Sequence, residues 1–525
     1  MLLAGVLYIS SQWRINSKIP LEKSPEVLEQ NAVDAGKAIG IAPERYRVAG
    51  FEPQLGYLVW ISEHDQTRSR FEHLRAGPPA VVFWLRESHA PLTPASDAPS
   101  AGTEDPPAAP GMAMIEVDTS GKLVGLSALS RGNSTGHADW DKLLRLAGFE
   151  SAALTRAHPH ETPPYFADER AAWDGVWPDD RTKPAHIEAA ASGGTAVFLH
   201  ITGPWSADPN AAKRLPFSNR ALEIAQSTLL AVLTLLTILL ALRNLRLRRG
   251  DRSGALRIAV AFLLIDCTAH LLAADHRPVF SHELSVVVGG LRMAILWAAV
   301  YFFLYIALEP YVRRRWPERL VAWSRLIAGN VRDPLVGRDM LIGIAAGVAH
   351  AALASFANWL PGRLGLTLPS APHASYLDTL LGVRHELAAI TAMISRGIIS
   401  GLVLVVVLVG FAIVLRRRNY AGVALFLLLV SISAIAAGGN RWIVLSGFFI
   451  AAIWTLVIVR IGLLGIVTAQ TIFSISFSLI TGFDASSWSL PISLAPVLAI
   501  VVITAFAFRT ALGGQPMFSA RLLDE

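Results

Sequence analysis

The feature that most constrains this chain is an uncharged stretch of nineteen residues, Ile224 to Leu242. Five arginines follow it at once: Arg243, Arg246, Arg248, Arg249 and Arg252. A helix of that length crosses a hydrocarbon core of about 30 Å, and arginines beside one end of a span are typical of the cytoplasmic side. The chain therefore enters a membrane here, running from outside to inside.

Composition supports a membrane protein and argues against other classes. Of the 525 residues, 53% are hydrophobic and only 16% are charged, and the mean hydropathy is +0.45. The net charge of +6 does not indicate nucleic-acid binding, because the arginines lie beside apolar spans and form no separate basic domain. The single cysteine, Cys267, lies within an apolar span, so no disulfide framework is expected.

The first residues are apolar but short. Met1 to Ile9 would form a helix of only about 13 Å, and no cleavage-site pattern of a secretory signal follows it. Residues 1–11 are therefore interpreted as a partial transmembrane helix, the outer end of a span. The alternative is a short buried or interfacial anchor.

Residues 12–218 are mostly polar and are predicted to form an extracytoplasmic α+β domain. Helices are expected after Ser24, at Trp140 to Gly148 and at Ala167 to Trp173. A strand is expected at Ala80 to Leu85, and hairpins at Met114 to Leu129 and His186 to Thr202. The Pro- and Ala-rich insert 91–111 is predicted to be flexible. The repeated order of helix then hairpin suggests two related halves, although an ordinary α+β domain without a repeat is an equal alternative.

Residues 219–525 are predicted to form a polytopic membrane domain, an all-α helical bundle of about nine full transmembrane helices in addition to the partial N-terminal one. The predicted spans are Ile224 to Leu242, Leu256 to Ala274, Val286 to Leu308, Met340 to Trp359, Gly397 to Leu415, Tyr420 to Ala437, two spans within Trp442 to Ile480 and Leu490 to Phe508. The division of Trp442 to Ile480 is placed at Arg460 to Gly462. The C-terminus is then cytoplasmic. If residues 442–480 instead formed one long tilted helix, the membrane orientation of all later residues would be reversed.

Several ionisable residues lie within the predicted spans, where charge is costly and function is the first interpretation. Asp266 and His270 are four residues apart on one helix face, and Arg292 lies in the next span. At 1.5 Å per residue, Asp266 lies roughly 12 Å and Arg292 roughly 9 Å below the outer surface. We expect these side chains to form an intramembrane polar cluster. It would either lock two helices together or relay protons.

The loop 311–339 is strongly basic. Its seven arginines are Arg313, Arg314, Arg315, Arg319, Arg325, Arg332 and Arg338. A short helix after Pro317 would place Leu320, Trp323 and Leu326 near one side. This loop is expected to lie on the anionic inner leaflet of the lipid bilayer, or to dock a cytoplasmic domain.

Enzyme motifs are incomplete. Arg384 to Ala389 begins like a zinc-protease helix but has Ala389 at the position of the second histidine. His158, His160 and Glu161 lack a third defined metal ligand, and no P-loop, dinucleotide fingerprint or nucleophile elbow occurs. No catalytic residue, metal site or cofactor is therefore predicted.

Several strings resemble a known group of proteins. They are Pro20 to Leu28, Phe83 to Ser88, Pro163 to Trp173, Gly203 to Trp205, Leu308 to Trp316 (LEPYVRRRW) and Arg332 to Gly343 (RDPLVGRDMLIG). Together they resemble the region that follows the catalytic domain in bacterial membrane-bound serine/threonine protein kinases. That resemblance implies an order of cytoplasmic kinase, one membrane helix, outer domain and multi-helix membrane domain. The glycine-rich loop and the H-R-D and D-F-G motifs of the kinase do not occur in this chain.

The resemblance implies a sensory or regulatory module in the bacterial inner membrane, which signals to a kinase domain or another cytoplasmic partner. It also implies that the chain is either a stand-alone relative of the sensor half or a truncated kinase. Kinase activity is not predicted. A transporter that uses Asp266, His270 and Arg292 is the alternative function.

Overall fold

The protein is described from a computed structural model. The structure describes residues 2–15, 18–65, 67, 69–71, 74, 77–92, 99–103, 105, 107–132, 136–206, 220–364, 366, 376–437, 440–478 and 487–515. Within them, an N-terminal antiparallel sheet with short helices precedes a set of long apolar helices.

The sheet has eight strands in the order β1-β2-β3-β4-β8-β7-β6-β5, and all neighbours are antiparallel. The strands are β1 Tyr46–Pro53, β2 Val81–Ser88, β3 Ala113–Asp118, β4 Leu123–Ala128, β5 Thr155–Ala157, β6 Glu169–Trp177, β7 Asp180–Ser192 and β8 Thr195–Thr202. Four consecutive strands form each half, and the last strands of the two halves pair. This arrangement is the one that a duplicated unit would give.

Both predicted hairpins of the sheet are present. The turn between β3 and β4 is closed by the Asp118 carboxylate, which accepts hydrogen bonds from the backbone N–H groups of Ser120 and Lys122, each at 2.9 Å. The turn between β7 and β8 uses Gly193 and Gly194 with φ of 59° and 84°, a left-handed conformation that glycine adopts without strain.

Three helices accompany the sheet: α2 Pro25–Ala38, α3 Leu55–His64 and α4 Trp140–Leu146. The helix predicted at Ala167 to Trp173 is wrong, because this segment belongs to β6. Its alanines have good helix propensity, but pairing with β7 along nearly its whole length, from Glu169 opposite Ala191 to Trp177 opposite Asp180, overrides that propensity.

Parts of the insert 91–111 pack on the sheet where they are described. Leu92 and Ala101 are buried against Trp84 and Val48 on one face of the sheet. The Arg86 guanidinium, also buried, donates to the carbonyl oxygen of Gly102 at 3.0 Å. An apolar contact and a hydrogen bond therefore attach this segment to the sheet, which its composition did not predict. Residues 93–98, 104 and 106 lie outside the described residues.

The remaining helices are α1 Leu2–Trp13, α5 Arg220–Arg246, α6 Arg252–Ala273, α7 Phe280–Arg315, α8 Val321–Ile327, α9 Pro334–Arg363, α10 Val383–Val414, α11 Arg418–Ala436, α12 Arg441–Arg460, α13 Leu463–Ser478 and α14 Leu490–Ala511. Among the described residues, seven helices (α6, α7, α9, α10, α11, α12 and α14) are long and apolar enough to cross a membrane. They fit a multi-pass membrane protein. The predicted count of nine is not confirmed.

The apolar stretch after Trp442 is divided where the sequence predicted. Helix α12 ends at Arg460 and α13 begins at Leu463, with Gly462 between them at φ 120°. A Cβ at Gly462 would lie 2.3 Å from the carbonyl oxygen of Arg319, so only glycine fits this close approach. Helix α13 has 16 residues and is shorter than the seven spans.

Two ends of the bundle can be distinguished. At the first, which we call the sheet end, α13 approaches α1 through a contact between Phe477 and Trp13, and the Trp488 indole donates to the carbonyl oxygen of Leu21 at 2.9 Å. The second, which we call the arginine end, carries the C-terminus of α5, residues 311–339 and the C-termini of α10 and α12.

The sheet packs directly on the bundle. A 3-10 turn, Leu377–Leu381, immediately precedes α10. Its Leu377 and Leu380 are 4% and 0% exposed and belong to the same apolar cluster as Leu85 of β2. The Arg277 side chain, between α6 and α7, donates to the carbonyl oxygen of Arg47 on β1. The core of the sheet domain is therefore continuous with the start of a membrane helix.

Candidate functional site

Asp266 lies where three membrane helices meet. Its carboxylate, on α6, faces the hydroxyl of Ser395 on α10. The Ser395 hydroxyl in turn lies 3.1 Å from that of Tyr301 on α7. A carboxylate beside two hydroxyls can accept hydrogen bonds when ionised and donate one when protonated, so it can hold either state.

His270, one turn further along α6, packs on α7. A Cβ at Gly290 would lie 2.6 Å from the imidazole Cδ2, so the ring occupies the space that this glycine leaves open. Its backbone partner is Val286, also on α7. Asp266 and His270 therefore both face neighbouring helices, but Asp266 faces α10 and His270 packs on α7.

Arg292 is placed differently from the expectation. It is two residues beyond Gly290 on α7, which turns it about 200° around the helix, and it lies on the exposed face. The partner of Asp266 at this depth is Ser395, so the expected ion pair between Asp266 and Arg292 is not the contact that joins the two helices. Equal depth in the membrane did not imply a shared face.

Two arginines of the loop 311–339 bind the ends of other helices. Arg315 donates to the carbonyl oxygen of Ala412 near the end of α10, and Arg319 donates to that of Arg460 at the end of α12. The last carbonyls of a helix have no partner within it, and a cation is favourable there. Arg325 pairs with Asp333 at 2.6 Å and Arg338 with Asp339 at 2.9 Å. Arg314 and Arg332 are exposed.

The apolar face of this loop packs inward. Leu320 and Trp323 are 6% and 4% exposed and lie in the apolar cluster formed by the membrane helices, with Leu326 packed against it. Leu320 and Trp323 therefore contact other helices, and the placement of the loop on the inner leaflet stays a prediction. Neighbouring helices offer a closer-packed apolar surface than lipid headgroups do.

A second cluster, not predicted from the sequence, lies at the arginine end. Pro310 lies inside α7 and has no backbone N–H, so the carbonyl oxygen of Ile306 loses its helical donor. The buried side-chain amide of Asn244, on α5, donates to this oxygen at 2.9 Å and to that of Ala307 at 3.2 Å. A proline within a predicted span and an asparagine among arginines were the available signals.

Glu309 completes this group, which we call the Pro310 cluster (Asn244, Asp251, Glu309, Pro310 and Arg313). The Glu309 side chain is 2% exposed; its carboxylate lies 2.5 Å from the guanidinium of Arg313 and accepts from the backbone N–H of Asp251 at 3.2 Å. Asp251 caps α6 by accepting from the N–H of Gly254 at 2.8 Å. Burial raises the pKa of Asp251, but this bond, the Ser253 hydroxyl and nearby arginines outweigh burial and hold the pKa below its usual range.

A cavity of about 600 Å³ opens beside the Pro310 cluster. Four arginines line it: Arg243, Arg249, Arg313 and Arg314. Four guanidinium groups around one opening attract an anionic group. Glu309, which also lines the cavity, holds the guanidinium of Arg313 in place. The arginine end therefore presents a preformed basic pocket joined to both α5 and α7.

The sheet domain carries clusters of histidine and carboxylate. His186 lies 2.6 Å from Asp174 and 3.1 Å from Glu188, and His200 lies 2.8 Å from Glu161. His160 contributes its backbone N–H to Glu188 at 2.6 Å. Across the part of the chain that the structure describes, no group of three such residues could hold a metal ion.

Comparison with protein-family models, with curated proteins and with solved structures finds no significant match to this chain. The relationship to bacterial membrane-bound kinases therefore rests on the strings quoted above and stays a prediction.

Proposed function

We propose that this chain is an integral membrane sensory or regulatory module of the bacterial inner membrane. The sheet domain would lie outside the cytoplasm and perceive a signal, and the arginine end, with the C-terminus, would lie at the inner face. The observation that carries this proposal is the position of Leu377 and Leu380, which belong to the core of the sheet domain and directly precede α10.

This position supports transmission because a change at the sheet cannot leave α10 unaffected. The first residues of α10 follow the docked turn, and its last turn provides the carbonyl that Arg315 binds. A shift of α10 along its axis would therefore alter the loop 311–339. Packed helices respond to such shifts as rigid elements with discrete arrangements.

The output would be read at the arginine end. Anionic lipids of the inner leaflet and a cytoplasmic kinase domain, or another signalling partner, are the proposed partners there, and the exposed Arg314 and Arg332 and the basic pocket support this. The resemblance to kinase sensor regions is the further support for a kinase partner.

Hydrogen exchange of the full chain in lipid nanodiscs tests the proposal. Replacing Leu380 by alanine leaves a cavity at the docked turn, and we expect faster exchange both in β1 and at residues 311–320. Leu387→Ala, on the exposed face of α10, is the matched control and should change neither region. Faster exchange in β1 with unchanged exchange at 311–320 would contradict transmission.

A second candidate function, a proton-coupled transporter, is favoured by one observation. The contact of Asp266 with Ser395, and of Ser395 with Tyr301, joins three helices through polar groups within the membrane. In reconstituted vesicles with an imposed pH gradient, a transporter would acidify the lumen in a manner that Asp266→Asn abolishes. Equal proton flux for the wild type and the variant would remove this candidate.

A further inference from the structure

We propose that the membrane domain binds one anionic glycerophospholipid in a crevice between α6, α8, α10, α13 and α14. The crevice has a volume of about 460 Å³, within the range of preformed ligand pockets, and its walls are almost entirely apolar. We call it the lipid crevice and define it by six of its lining residues: Arg257, Ala261, Phe262, Trp323, Ile398 and Ile503.

The walls of the crevice fit an acyl chain. Phe262, Ile398 and Ile503 come from three different spanning helices, so the space between them lies at the depth of the hydrocarbon core. The hydroxyl of Thr468, which also lines the crevice, already donates to the carbonyl oxygen of Leu464 at 2.9 Å. The Thr468 hydroxyl is therefore satisfied without a polar partner from the bound chain.

The end near the arginine face fits a phosphate. Arg257 lies less than two turns after the cap of α6, is exposed, and its guanidinium is 3.5 Å from the carbonyl oxygen of Ile327, at the limit of a hydrogen bond. Trp323 is 4% exposed, and its indole N–H has no hydrogen-bond partner among the described residues. A buried donor of this kind calls for an acceptor that the protein does not supply.

A glycerophospholipid carries both groups that the crevice fits, a phosphate and an acyl chain. Its phosphate can pair with the Arg257 guanidinium, and a phosphate or ester oxygen can accept from the Trp323 indole, while one chain fills the apolar walls. Charge selects an anionic headgroup over a zwitterionic one. This inference does not depend on whether the sheet domain senses a signal, since it requires only that the arginine end lies at the level of lipid headgroups.

Native mass spectrometry of the full chain, titrated with palmitoyl-oleoyl phosphatidylglycerol or with the matching phosphatidylcholine, tests the inference. We expect one phosphatidylglycerol to bind about tenfold more tightly than phosphatidylcholine, because the choline cation of the second lipid is repelled by the Arg257 guanidinium. Arg257→Gln should remove that preference, and Trp323→Phe, which keeps the ring but lacks the N–H, should weaken both lipids. Arg363→Gln, an exposed arginine at the opposite end of α9 and outside the crevice, is the control and should change nothing.

Ala261→Phe is a second variant, which tests lipid binding independently if Trp323→Phe does not fold. Ala261 is an exposed residue of the crevice wall, so a phenyl ring there fills the space without disturbing buried contacts, and one bound lipid should be lost. Equal affinity for the two lipids, or lipid binding unchanged in both Arg257→Gln and Ala261→Phe, would overturn the inference. Displacement of the lipid by sn-glycerol 3-phosphate alone would also overturn it, because the chain would then be unnecessary.

Discussion

Asn244 and Pro310 show how a single residue can compensate for another in a different helix. Proline removes one N–H from α7, and the carboxamide of Asn244 donates to the carbonyl oxygen of Ile306, which this leaves without its helical donor, and also to that of Ala307. Because both groups are buried, each needs a partner, and the bond fixes α5 against α7 at one position.

Replacing Asn244 by alanine should destabilise the protein by about 1–3 kcal/mol, because the buried carbonyl of Ile306 loses its donor. Thermal unfolding in detergent measures this. In the Pro310→Ala variant, the backbone N–H at position 310 is restored. The loss of stability on Asn244→Ala should then be smaller, which is the non-additivity expected if Asn244 compensates for Pro310. Asn358→Ala is the control, since Asn358 donates only within its own helix, to Ala354. Equal costs of Asn244→Ala in both backgrounds would refute the pairing.

His186 should make the stability of the sheet domain depend on pH. Burial lowers its pKa, but hydrogen bonds to Asp174 and Glu188 outweigh burial and raise the pKa above 6.5. The folded state then binds the proton more tightly than the unfolded state. The stabilisation is complete below pH 6.5 and is lost as the pH rises through the raised pKa of the folded state.

Unfolding of the full chain, followed between pH 6 and pH 8, should therefore show a loss of sheet stability with rising pH that His186→Gln reduces. His158→Gln, an exposed histidine of the same domain, should keep the wild-type slope. A slope that is the same in all three proteins would exclude His186 as its source.

For individual residues, the sequence predicted that Asp266 and His270 share one face of a helix. It did not predict which residues they contact. A spacing of four residues fixes a shared helix face, which is a local property. Whether Arg292 shares that face with them depends on how α7 is rotated against α6, and the position of Gly290 sets that rotation. The hydroxyl of Ser395 comes from a helix more than 100 residues later, and no local pattern indicates it.

At the scale of elements, α13 is the helix around which its neighbours pack. Glycines of α9 and α10 face it: a Cβ at Gly343 or Gly347 would lie 2.5 Å from a backbone oxygen of α13, and one at Gly397 would lie 2.1 Å from the Thr471 hydroxyl. Small residues at four-residue spacing allow membrane helices to approach closely, which gives dispersion contacts that lipid does not.

Gly347→Ala should destabilise the bundle by about 1–3 kcal/mol, because the added methyl group forces α9 away from α13. Gly410→Ala is the matched control: Gly410 also lies within a spanning helix, and nothing lies within 4 Å of its added Cβ. That variant should be neutral or slightly more stable, since alanine is the better helix former. Thermal unfolding of both variants checks this, and similar losses for the two would contradict the close packing.

The helix boundary after Arg460 was predicted, but the start of α10 was not, since α10 begins at Val383 and the predicted span begins at Gly397. Strands β1, β5 and β6 were not predicted either. The boundary after Arg460 was readable because glycine and a charged residue interrupt an otherwise apolar run. The β6 segment was not readable, because its alanines carry no alternation strong enough to reveal pairing with β7. The short helix α8 was expected, but its burial against other helices depends on tertiary packing.

At the scale of the whole molecule, the sheet domain and the bundle share one apolar cluster through Leu377 and Leu380. The sequence suggested two separate domains joined at about residue 219, since composition changes there. Contacts between residues more than 250 positions apart, such as that of Leu380 with the sheet core, are invisible to composition. The two parts should therefore unfold as one unit.

Leu380→Ala should lower the stability of this shared core by about 2–5 kcal/mol, because a fully buried leucine leaves a cavity. We expect loss of the sheet to separate from loss of the helices in circular dichroism, whereas the wild type shows one transition. Leu387→Ala is the control and should keep the single transition. Two transitions in the wild type would show that the shared cluster does not couple the parts.

The proposed signal transmission depends most on one feature. The sheet domain and the arginine end must lie on opposite sides of the membrane. Single cysteines at Ser151 and at Asn330, both exposed, can be introduced after Cys267→Ala and treated with a membrane-impermeant maleimide in intact cells. We predict that the cysteine at position 151 reacts in intact cells and that the one at 330 reacts only after permeabilisation. Reaction at 330 in intact cells, with 151 protected, would contradict the account.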